Sequence, residues 1–235
     1  MKGITMFDKM MVVAAPLVGM LALFSSCAQA PVPELSVTHH PTIDISEGWQ
    51  DLFASDLSNA FYAPDSWTLA EGVLSREGGG DIWTREQYVD FVLDLEFKLA
   101  ENTNSGVFIR TGDIEHFVHT AIEVQIHAST DGTPHGMCGA IYDCLSPSMN
   151  RVRKAGEWNR YTITAQANKI FVVFNGEQII NMDLNRWTEA HMNPDGSPNK
   201  FNTAYKDMPR VGHIGFQDHG QPIWYRNIKI KKLGG

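Results

Sequence analysis

The chain has 235 residues and a formal net charge of −8 at pH 7. Without residues 1–26 the charge becomes −9, and the basic clusters at 151–154 and 229–232 are short. This acidic balance argues against nucleic acid as a partner. The length suits one all-β or α/β domain of ordinary size.

The N-terminus has the pattern of an export signal. Lys2 and Lys9 flank a polar start, and residues 10–24 form an apolar run that is too short to span a bilayer comfortably. Cys27 follows soon after this run, as in bacterial lipoprotein processing, where the thiol carries the lipid. We therefore predict a lipoprotein-type signal peptide over residues 1–26.

A cleavage after Ala30 is the alternative, and it would leave the cysteine outside the mature protein. Residues 27–44 contain three prolines and no periodicity, which predicts a tether. The remaining residues, 45–235, are expected to form the catalytic or binding domain. Its expected location is the periplasm or the cell surface, with contact to a membrane only through the lipid anchor.

Strand patterns recur along this domain, and helical patterns are scarce. Asn175-Gly176, between two apolar runs, predicts a hairpin because Asn-Gly tolerates the positive φ values of a type I′ turn. The irregular stretch 184–209 is expected to rim a site, with one helical turn at 187–191. The spacing of the patterns predicts an all-β antiparallel sandwich. The predicted strands are 67–75, 88–99, 106–111, 121–128, 160–166, 169–175, 178–182, 211–217 and 223–231.

Segment 121–128 alternates three aliphatic residues with three polar ones. Successive side chains of a strand point to opposite faces, so the aliphatic residues are expected in the core. The polar residues Glu123, Gln125 and His127 then form a row with steps of about 7 Å. This polar row is a candidate floor for a sugar-sized site, and an ordinary solvated sheet face is the alternative.

Cys138 and Cys144 are separated by five residues. In an exported protein, a disulfide that closes this small loop is the expected structure. Zinc binding with His135 is the alternative, although no second cysteine pair accompanies the first.

The order of short motifs along the chain resembles the 3-keto-disaccharide hydrolase family. Each motif is weak by itself, whereas the ordered set covers about residues 49–233, nearly the whole mature chain. The motifs are Trp49-Gln-Asp-Leu-Phe53, Trp67 with Gly72-Val-Leu74, Ile82-Trp83-Thr84, Tyr88-Val-Asp-Phe91, Asn104-Ser-Gly-Val-Phe-Ile-Arg110, Glu123-Val-Gln-Ile126, Gly156-Glu-Trp-Asn159, Asn175-Gly176, Gly215-Phe-Gln-Asp-His-Gly220 and Arg226-Asn-Ile228.

This resemblance implies a concanavalin-like jelly roll of two antiparallel sheets, with a concave face that binds carbohydrate. It also implies an exported enzyme that cleaves 3-keto-glycosides or 3-keto-disaccharides. An upstream sugar 3-dehydrogenase is the expected supplier of the oxidised substrate.

The residues favour an elimination mechanism over a glycosidase with two carboxylates. Such a glycosidase needs a carboxylate pair, whereas the polar row follows Glu123 with an amide and an imidazole. Asp218, from another strand, is left open as a second carboxylate. A carbonyl at C3 acidifies the C2 proton, so the group at C1 can leave after proton abstraction, and hydration completes a net hydrolysis. Glu123 or His127 is then the base, Arg110 steadies the enolate and His219 is the acid.

The candidate substrate-binding residues are Gln125, Trp83, Tyr142, Gln217 and Asp218. Several of them also have a structural interpretation: Trp83 as part of the sandwich core, and Asp218 as a cap of the turn that ends at Gly220. Arg110 also has a structural interpretation, as the partner of Glu96 or Glu123 in an ion pair.

No cofactor is predicted, and a divalent metal is left open because four histidines (His116, His119, His127 and His135) occur without a defined ligand spacing. A lectin-like protein on the same sandwich is the second functional class, because fold does not decide function.

Overall fold

The computed structural model describes residues 37–128 and 133–234. The predicted signal peptide, the predicted anchor Cys27 and the predicted tether as far as residue 36 lie outside the described residues. In the part of the chain that is described, no helix has the length and apolar character needed to cross a membrane. His40, in the last part of the predicted tether, contacts one sheet: its Nε2 accepts from the Gly176 N–H at 2.9 Å, and its Nδ1 lies 2.8 Å from Thr162 Oγ1.

Thirteen strands are found in the described residues, and every strand pair is antiparallel. They are β1 (Trp49–Asp51), β2 (Ala60–Phe61), β3 (Trp67–Ala70), β4 (Val73–Arg76), β5 (Ile82–Thr84), β6 (Phe91–Leu99), β7 (Asn104–Thr111), β8 (Ile122–His127), β9 (Trp158–Gln166), β10 (Lys169–Phe174), β11 (Glu177–Asp183), β12 (His213–Phe216) and β13 (Ile223–Lys232). One short helix, α1 (Phe117–Thr120), precedes β8, and 3₁₀ turns occur at Ile45–Glu47, Pro134–Gly136, Leu184–Arg186 and Tyr205–Asp207.

The strands form two sheets. The larger has eight strands in the order β11-β10-β9-β6-β13-β4-β3, with β1 beside β13. The smaller has five in the order β2-β5-β12-β7-β8. The predicted all-β antiparallel sandwich of jelly-roll type is thereby confirmed.

The core lies between the two sheets, and the predicted alternation of β8 is confirmed. Ile122, Val124 and Ile126 are completely buried, as are the aliphatic residues Val107 and Ile109 on the paired strand β7. Because these side chains occupy the inner face, the intervening polar residues of β8 lie on the outer face of the five-stranded sheet.

The predicted Asn175-Gly176 hairpin is also confirmed. These two residues join β10 to β11 with φ values of 47° and 94°, and Phe174 pairs with Glu177. A second two-residue turn divides the predicted strand 67–75 into β3 and β4. Glu71 and Gly72 have φ values of 52° and 76°, which turn the chain back on itself.

The predicted helical turn at 187–191 is wrong. The turn starts earlier, at Leu184, because the Asp183 carboxylate accepts from the Asn185 N–H at 3.0 Å and so begins a 3₁₀ turn.

The predicted disulfide between Cys138 and Cys144 is wrong, because both thiols are buried and free. The segment between them packs the two sulfurs against different tyrosines. Cys138 Sγ lies 3.2 Å from the Tyr161 hydroxyl, and Cys144 lies beside Tyr205. Burial raises the thiol pKa to about 11 for Cys138 and to about 12 for Cys144, so both remain protonated at neutral pH.

Candidate active site

The polar row lies on the outer face of the five-stranded sheet, as its alternation predicts. The register between β8 and β7 places Glu123 opposite Phe108, and Gln125 opposite Gly106. His127 pairs in the same way with Asn104. The row therefore continues across the sheet onto β7, where one position is a glycine without a side chain.

Two further polar residues extend this face beyond β7. The Gln217 N–H, just after β12, donates to the Gly106 carbonyl at 3.0 Å. Asp81, just before β5, accepts the Asp218 N–H at 2.7 Å. We call Glu123, Gln125, Gln217 and Asp81 the polar patch.

Glu123 lies directly over Gly106. A Cβ at Gly106 would be only 2.4 Å from Glu123 Oε1, so the carboxylate uses the space that the glycine leaves. Burial raises the pKa of this half-buried carboxyl group to about 7. The positive charge of Lys200 opposes the increase in pKa, and the negative charge of Asp81 adds to it. Glu123 is therefore suited to exchanging a proton at neutral pH.

The long loop brings a cation to this carboxylate, in agreement with the prediction that 184–209 rims a site. Lys200 and Glu123 line one small cavity of about 40 Å³ together with Gln217. The main-chain N–H of Lys200 donates to Asp143 Oδ2 at 2.8 Å, which fixes this point of the loop to the segment after β8.

Tyr142, a predicted substrate-binding residue, packs beside Lys200. Its ring centroid lies 4.2 Å from Lys200 Nζ, and its main-chain N–H donates to the Glu123 carbonyl at 3.0 Å. Burial, followed by the charges of Glu123 and Asp143, raises the pKa of the phenol. Tyr142 therefore keeps its proton at neutral pH and can donate a hydrogen bond to a ligand.

Two amide oxygens of the polar patch have no hydrogen-bond partner among the described residues. They are Gln125 Oε1 and Gln217 Oε1, and both atoms are buried. The Gln125 side chain is held in place because its Nε2 donates to Asn104 Oδ1 at 2.8 Å. A buried acceptor without a partner is costly, so each oxygen gains from any donor that a small side-chain movement brings within reach.

Trp83, a predicted substrate-binding residue, is buried in a small cluster on the outer face of the five-stranded sheet, separate from the core between the sheets. It is 5% exposed and stacks on Phe108 with a centroid distance of 5.1 Å and an interplanar angle of 15°. Phe117 packs against the same ring at 5.5 Å. Gly215 is required beside it, since a Cβ there would be 2.2 Å from the indole. This aromatic cluster forms one wall beside Glu123 and leaves little ring surface for a pyranose.

Arg110 does not reach the polar patch, so its predicted role beside the enolate is wrong. Its φ of 51° and a register shift between β7 and β12 turn it out of the regular alternation. The buried guanidinium pairs with Asp90 at 2.9 Å and donates to the carbonyls of Val89 at 3.1 Å and Ala167 at 2.6 Å. Arg110 is thus a structural ion-pair residue, with a partner that the sequence did not indicate.

Asp218 is also structural and is not a direct sugar ligand. Its carboxylate binds Arg76 through two nitrogens, at 2.5 and 3.2 Å, and accepts the Gly80 N–H at 2.9 Å. It caps the turn through the Gly220 N–H at 2.8 Å, and Gly220 has a φ of 93°. With its side chain only 8% exposed, Asp218 fixes the glycine loop before Asp81.

The two histidines with predicted catalytic roles lie in different places. His219 is exposed at the edge of the polar patch, and its charge acts on Asp81. His127 lies at the far end of the polar row. Within residues 37–128 and 133–234, no three His, Cys, Asp or Glu side chains are grouped so that they could hold a metal ion.

The sequence interpretation missed Asp81 and Lys200. Burial raises the pKa of Asp81 to about 6; the hydrogen bond from Asp218 lowers it, and the Asp218 charge raises it. Asp81 follows three glycines, and that run was the one local signal for it. Lys200 has no local signal, since only the path of the long loop brings it to Glu123.

Residues 48–231 match the family model of the 3-keto-alpha-glucoside-1,2-lyase-like domain. The chain is 25% identical over 207 residues to a 3-keto-disaccharide hydrolase from Bacteroides thetaiotaomicron, an alignment that covers 72% of this chain and 71% of the relative.

Two crystal structures of candidate glycosyl hydrolases from Parabacteroides distasonis have similar folds. The first is 38% identical, with a TM-score of 0.76 over 79% of this chain and 99% of the other. The second is 22% identical, with a TM-score of 0.67 over 81% and 96%, and supports the fold alone. The resemblance noted in the sequence is thereby confirmed, and the function is that of a glycosyl-hydrolase-like enzyme. The chain belongs to the 3-keto-alpha-glucoside-1,2-lyase-like domain family.

Proposed function

We propose that the protein cleaves 3-keto-glycosides, including 3-keto-disaccharides, by elimination followed by hydration. The observation that carries this proposal is Glu123, a half-buried carboxylate whose pKa is raised to about 7 beside a lysine and a tyrosine. The matched relative, a 3-keto-disaccharide hydrolase, supports the substrate class.

The first step is removal of the C2 proton by Glu123. The electron pair of the C2–H bond moves into the C3 carbonyl and forms an enolate. When the enolate collapses, the C1–O bond breaks and its electron pair leaves with the second sugar, which takes up a proton. Water then adds at C1 and a proton returns to C2, so the net reaction is hydrolysis.

Glu123 fits the role of base better than His127. A general base is most effective when its pKa lies near the working pH, and the pKa of Glu123 is about 7. His127 lies four residues further along the strand, about 13 Å away, at the end of the row remote from Lys200.

Lys200 takes the role that the sequence assigned to Arg110. Its ammonium group is the cation whose charge acts on Glu123, and a cation near the base stabilises the enolate oxygen as negative charge develops. Tyr142, which keeps its proton, donates to the departing oxygen, and His219 is the alternative acid at the edge of the site.

Gln125 and Gln217 bind the sugar through their unpartnered amide oxygens. Each oxygen accepts a hydrogen bond from a sugar hydroxyl, which orients the ring so that C2 faces Glu123. The aromatic wall of Phe108 and Phe117 covers the other side of the cavity.

A glycosidase mechanism with two carboxylates is the second candidate, and Asp81 is the observation that favours it. Asp81 raises the pKa of Glu123 through its charge, so the two carboxylates are electrostatically coupled. In that mechanism one carboxylate protonates the leaving oxygen and the other acts as a base or nucleophile, and neither step needs a C3 carbonyl.

The two mechanisms are separated by incubating the full chain with a 3-keto-disaccharide and with its unoxidised parent. The elimination mechanism predicts release of monosaccharide from the oxidised compound only. Release from both at comparable rates would support the two-carboxylate mechanism, and binding without release would support a lectin. Glu123→Gln should abolish release, whereas the exposed residue Glu101 gives a matched control in Glu101→Gln, which should not.

We further propose that the chain is exported to the periplasm or the cell surface, is anchored through lipid on Cys27, and receives its substrate from a sugar 3-dehydrogenase. The export pattern at the N-terminus supports the first two statements. Partitioning of the wild type into detergent, and loss of that partitioning in Cys27→Ala, is the expected result. If both proteins stay in the aqueous phase, the anchor is excluded.

A further inference from the structure

A second cavity, of about 360 Å³, lies on the outer face of the eight-stranded sheet, away from the polar patch. Three arginines line it, Arg153, Arg160 and Arg226, together with Glu96 and Trp158. The register explains the convergence of three of these side chains, since Glu96 on β6 pairs with Arg160 on β9 and with Arg226 on β13. We call this site the basic cavity.

The acidic side chains near the basic cavity do not balance its positive charge. Arg160 Nε binds Asp94 at 3.0 and 3.2 Å, and Arg226 Nε binds Glu96 at 2.5 Å. Arg153 has no carboxylate partner among the described residues, and its Nη1 donates to the Trp158 carbonyl at 2.9 Å. Two carboxylates therefore face three guanidinium groups.

The hydrogen-bonding edges of two guanidiniums are directed to no partner within the described part of the chain. Arg226 uses only Nε, which leaves both terminal nitrogens, and Arg153 uses only Nη1. The Arg226 guanidinium carbon lies 4.0 Å from the Trp158 ring centroid. Such stacking occupies the flat face of the guanidinium and leaves its in-plane N–H groups available.

Of two neighbouring groups, Lys98 increases the positive potential of the basic cavity and His40 does not. Lys98 Nζ lies 5.1 Å from the same Trp158 ring and 4.6 Å from that of Trp224. His40 also lines the cavity. Burial, followed by the charge of Arg160, lowers the pKa of His40 to about 4, so the imidazole is neutral at pH 7 and adds no further charge.

We propose that the basic cavity binds an oxyanion, namely the carboxylate, sulfate or phosphate group of a small ligand such as an acidic monosaccharide. The fork of N–H groups on a guanidinium matches the spacing of two oxygens on such a group. The cavity volume lies at the lower end of the range for small-molecule sites, which suits one sugar-sized ligand.

The test is isothermal titration calorimetry of the full chain with four probes. These are D-glucuronate, inorganic sulfate, neutral methyl glucoside, and vesicles that contain phosphatidylglycerol. We expect saturable binding of glucuronate and no binding of methyl glucoside. The separate titration with sulfate then distinguishes two forms of the proposal. Binding of glucuronate but not sulfate assigns the ligand as an acidic sugar, and binding of both assigns the oxyanion alone as sufficient.

Two variants test whether the ligand binds in the basic cavity. Arg153→Ala should weaken binding by about tenfold, or about 1.4 kcal/mol. Arg226→Lys keeps the charge but loses the fork of donors, and should also weaken binding. Arg85→Ala is the matched control. Like Arg153, Arg85 is exposed and donates to one main-chain carbonyl, that of Ser58 at 3.1 Å. Like that of Arg226, its guanidinium carbon lies close to an aromatic ring, 4.3 Å from the centroid of Phe61.

The proposal is overturned by any of three results. The first is no saturable binding of glucuronate or sulfate. The second is an equal effect of Arg153→Ala and Arg85→Ala on affinity. The third is binding to anionic vesicles only, which would assign the surface to a membrane instead of a small ligand.

Discussion

Gly106→Ala is the substitution that most sharply tests whether the position of Glu123 matters. Gly106 has no unusual φ requirement, and its added Cβ would meet the Glu123 side chain, at 2.4 Å from Oε1 and 2.9 Å from Cγ. The contact is with a flexible side chain and not with the backbone. We therefore expect the protein to fold while the carboxylate moves.

The size of the effect follows from that distance. An ordinary contact begins near 3.4 Å, so the carboxylate must move by about 1 Å. A misplacement of about 1 Å in a catalytic group can cost about 100-fold in rate. This loss corresponds to about 2.7 kcal/mol in the activation free energy. We expect kcat to fall by that amount.

The assay is the initial rate of monosaccharide release from a 3-keto-disaccharide, with the thermal unfolding temperature measured in parallel. Gly112→Ala is the matched control, because its Cβ would have no neighbour closer than about 4.0 Å. We expect it to keep wild-type activity. If Gly106→Ala keeps more than half of the wild-type kcat, Glu123 is not the base.

Three other predictions concern charge and stability. Because the pKa of Glu123 is about 7 and the base acts without its proton, kcat/KM should rise with pH through that value and level off above it; a profile that is flat from pH 5 to 9 would contradict this. Lys200→Met removes the charge that lowers this pKa, so the midpoint of the pH profile should move to higher pH. An unchanged midpoint would show that the Lys200 charge does not act on Glu123. Arg110→Met should lower the free energy of unfolding by about 3 kcal/mol, because it removes the cation paired with Asp90 and the donor to two carbonyls, while kcat per folded molecule stays unchanged. Denaturant unfolding measures the free energy, and rates divided by the amount of folded protein measure kcat.

Features with a local pattern were predictable from the sequence. The alternation around Glu123 specifies which side chains face the core, because a strand repeats every two residues. The Asn175-Gly176 hairpin was predictable because few other residue pairs adopt two positive φ values in succession. The polar row and the sheet face that carries it could therefore be inferred from the sequence alone.

Features that depend on distant contacts were not predictable in the same way. Arg110 lies in a strand pattern, yet a left-handed φ turns its side chain toward Asp90 and the carbonyl of Ala167. Lys200 comes near Glu123 through the path of the long loop, where the Asp143 carboxylate accepts its main-chain N–H. The spacing of Cys138 and Cys144 allowed a disulfide, but packing against separate tyrosines keeps the thiols apart.

The most direct test of the proposed elimination is the fate of the C2 hydrogen. A 3-keto-disaccharide that carries deuterium at C2 of the oxidised ring is incubated with the full chain, and the rate and the label in the released 3-keto sugar are measured. We predict a slower rate than with the protium substrate and loss of deuterium that requires Glu123. An equal rate, with deuterium retained in the product, would contradict proton abstraction at C2.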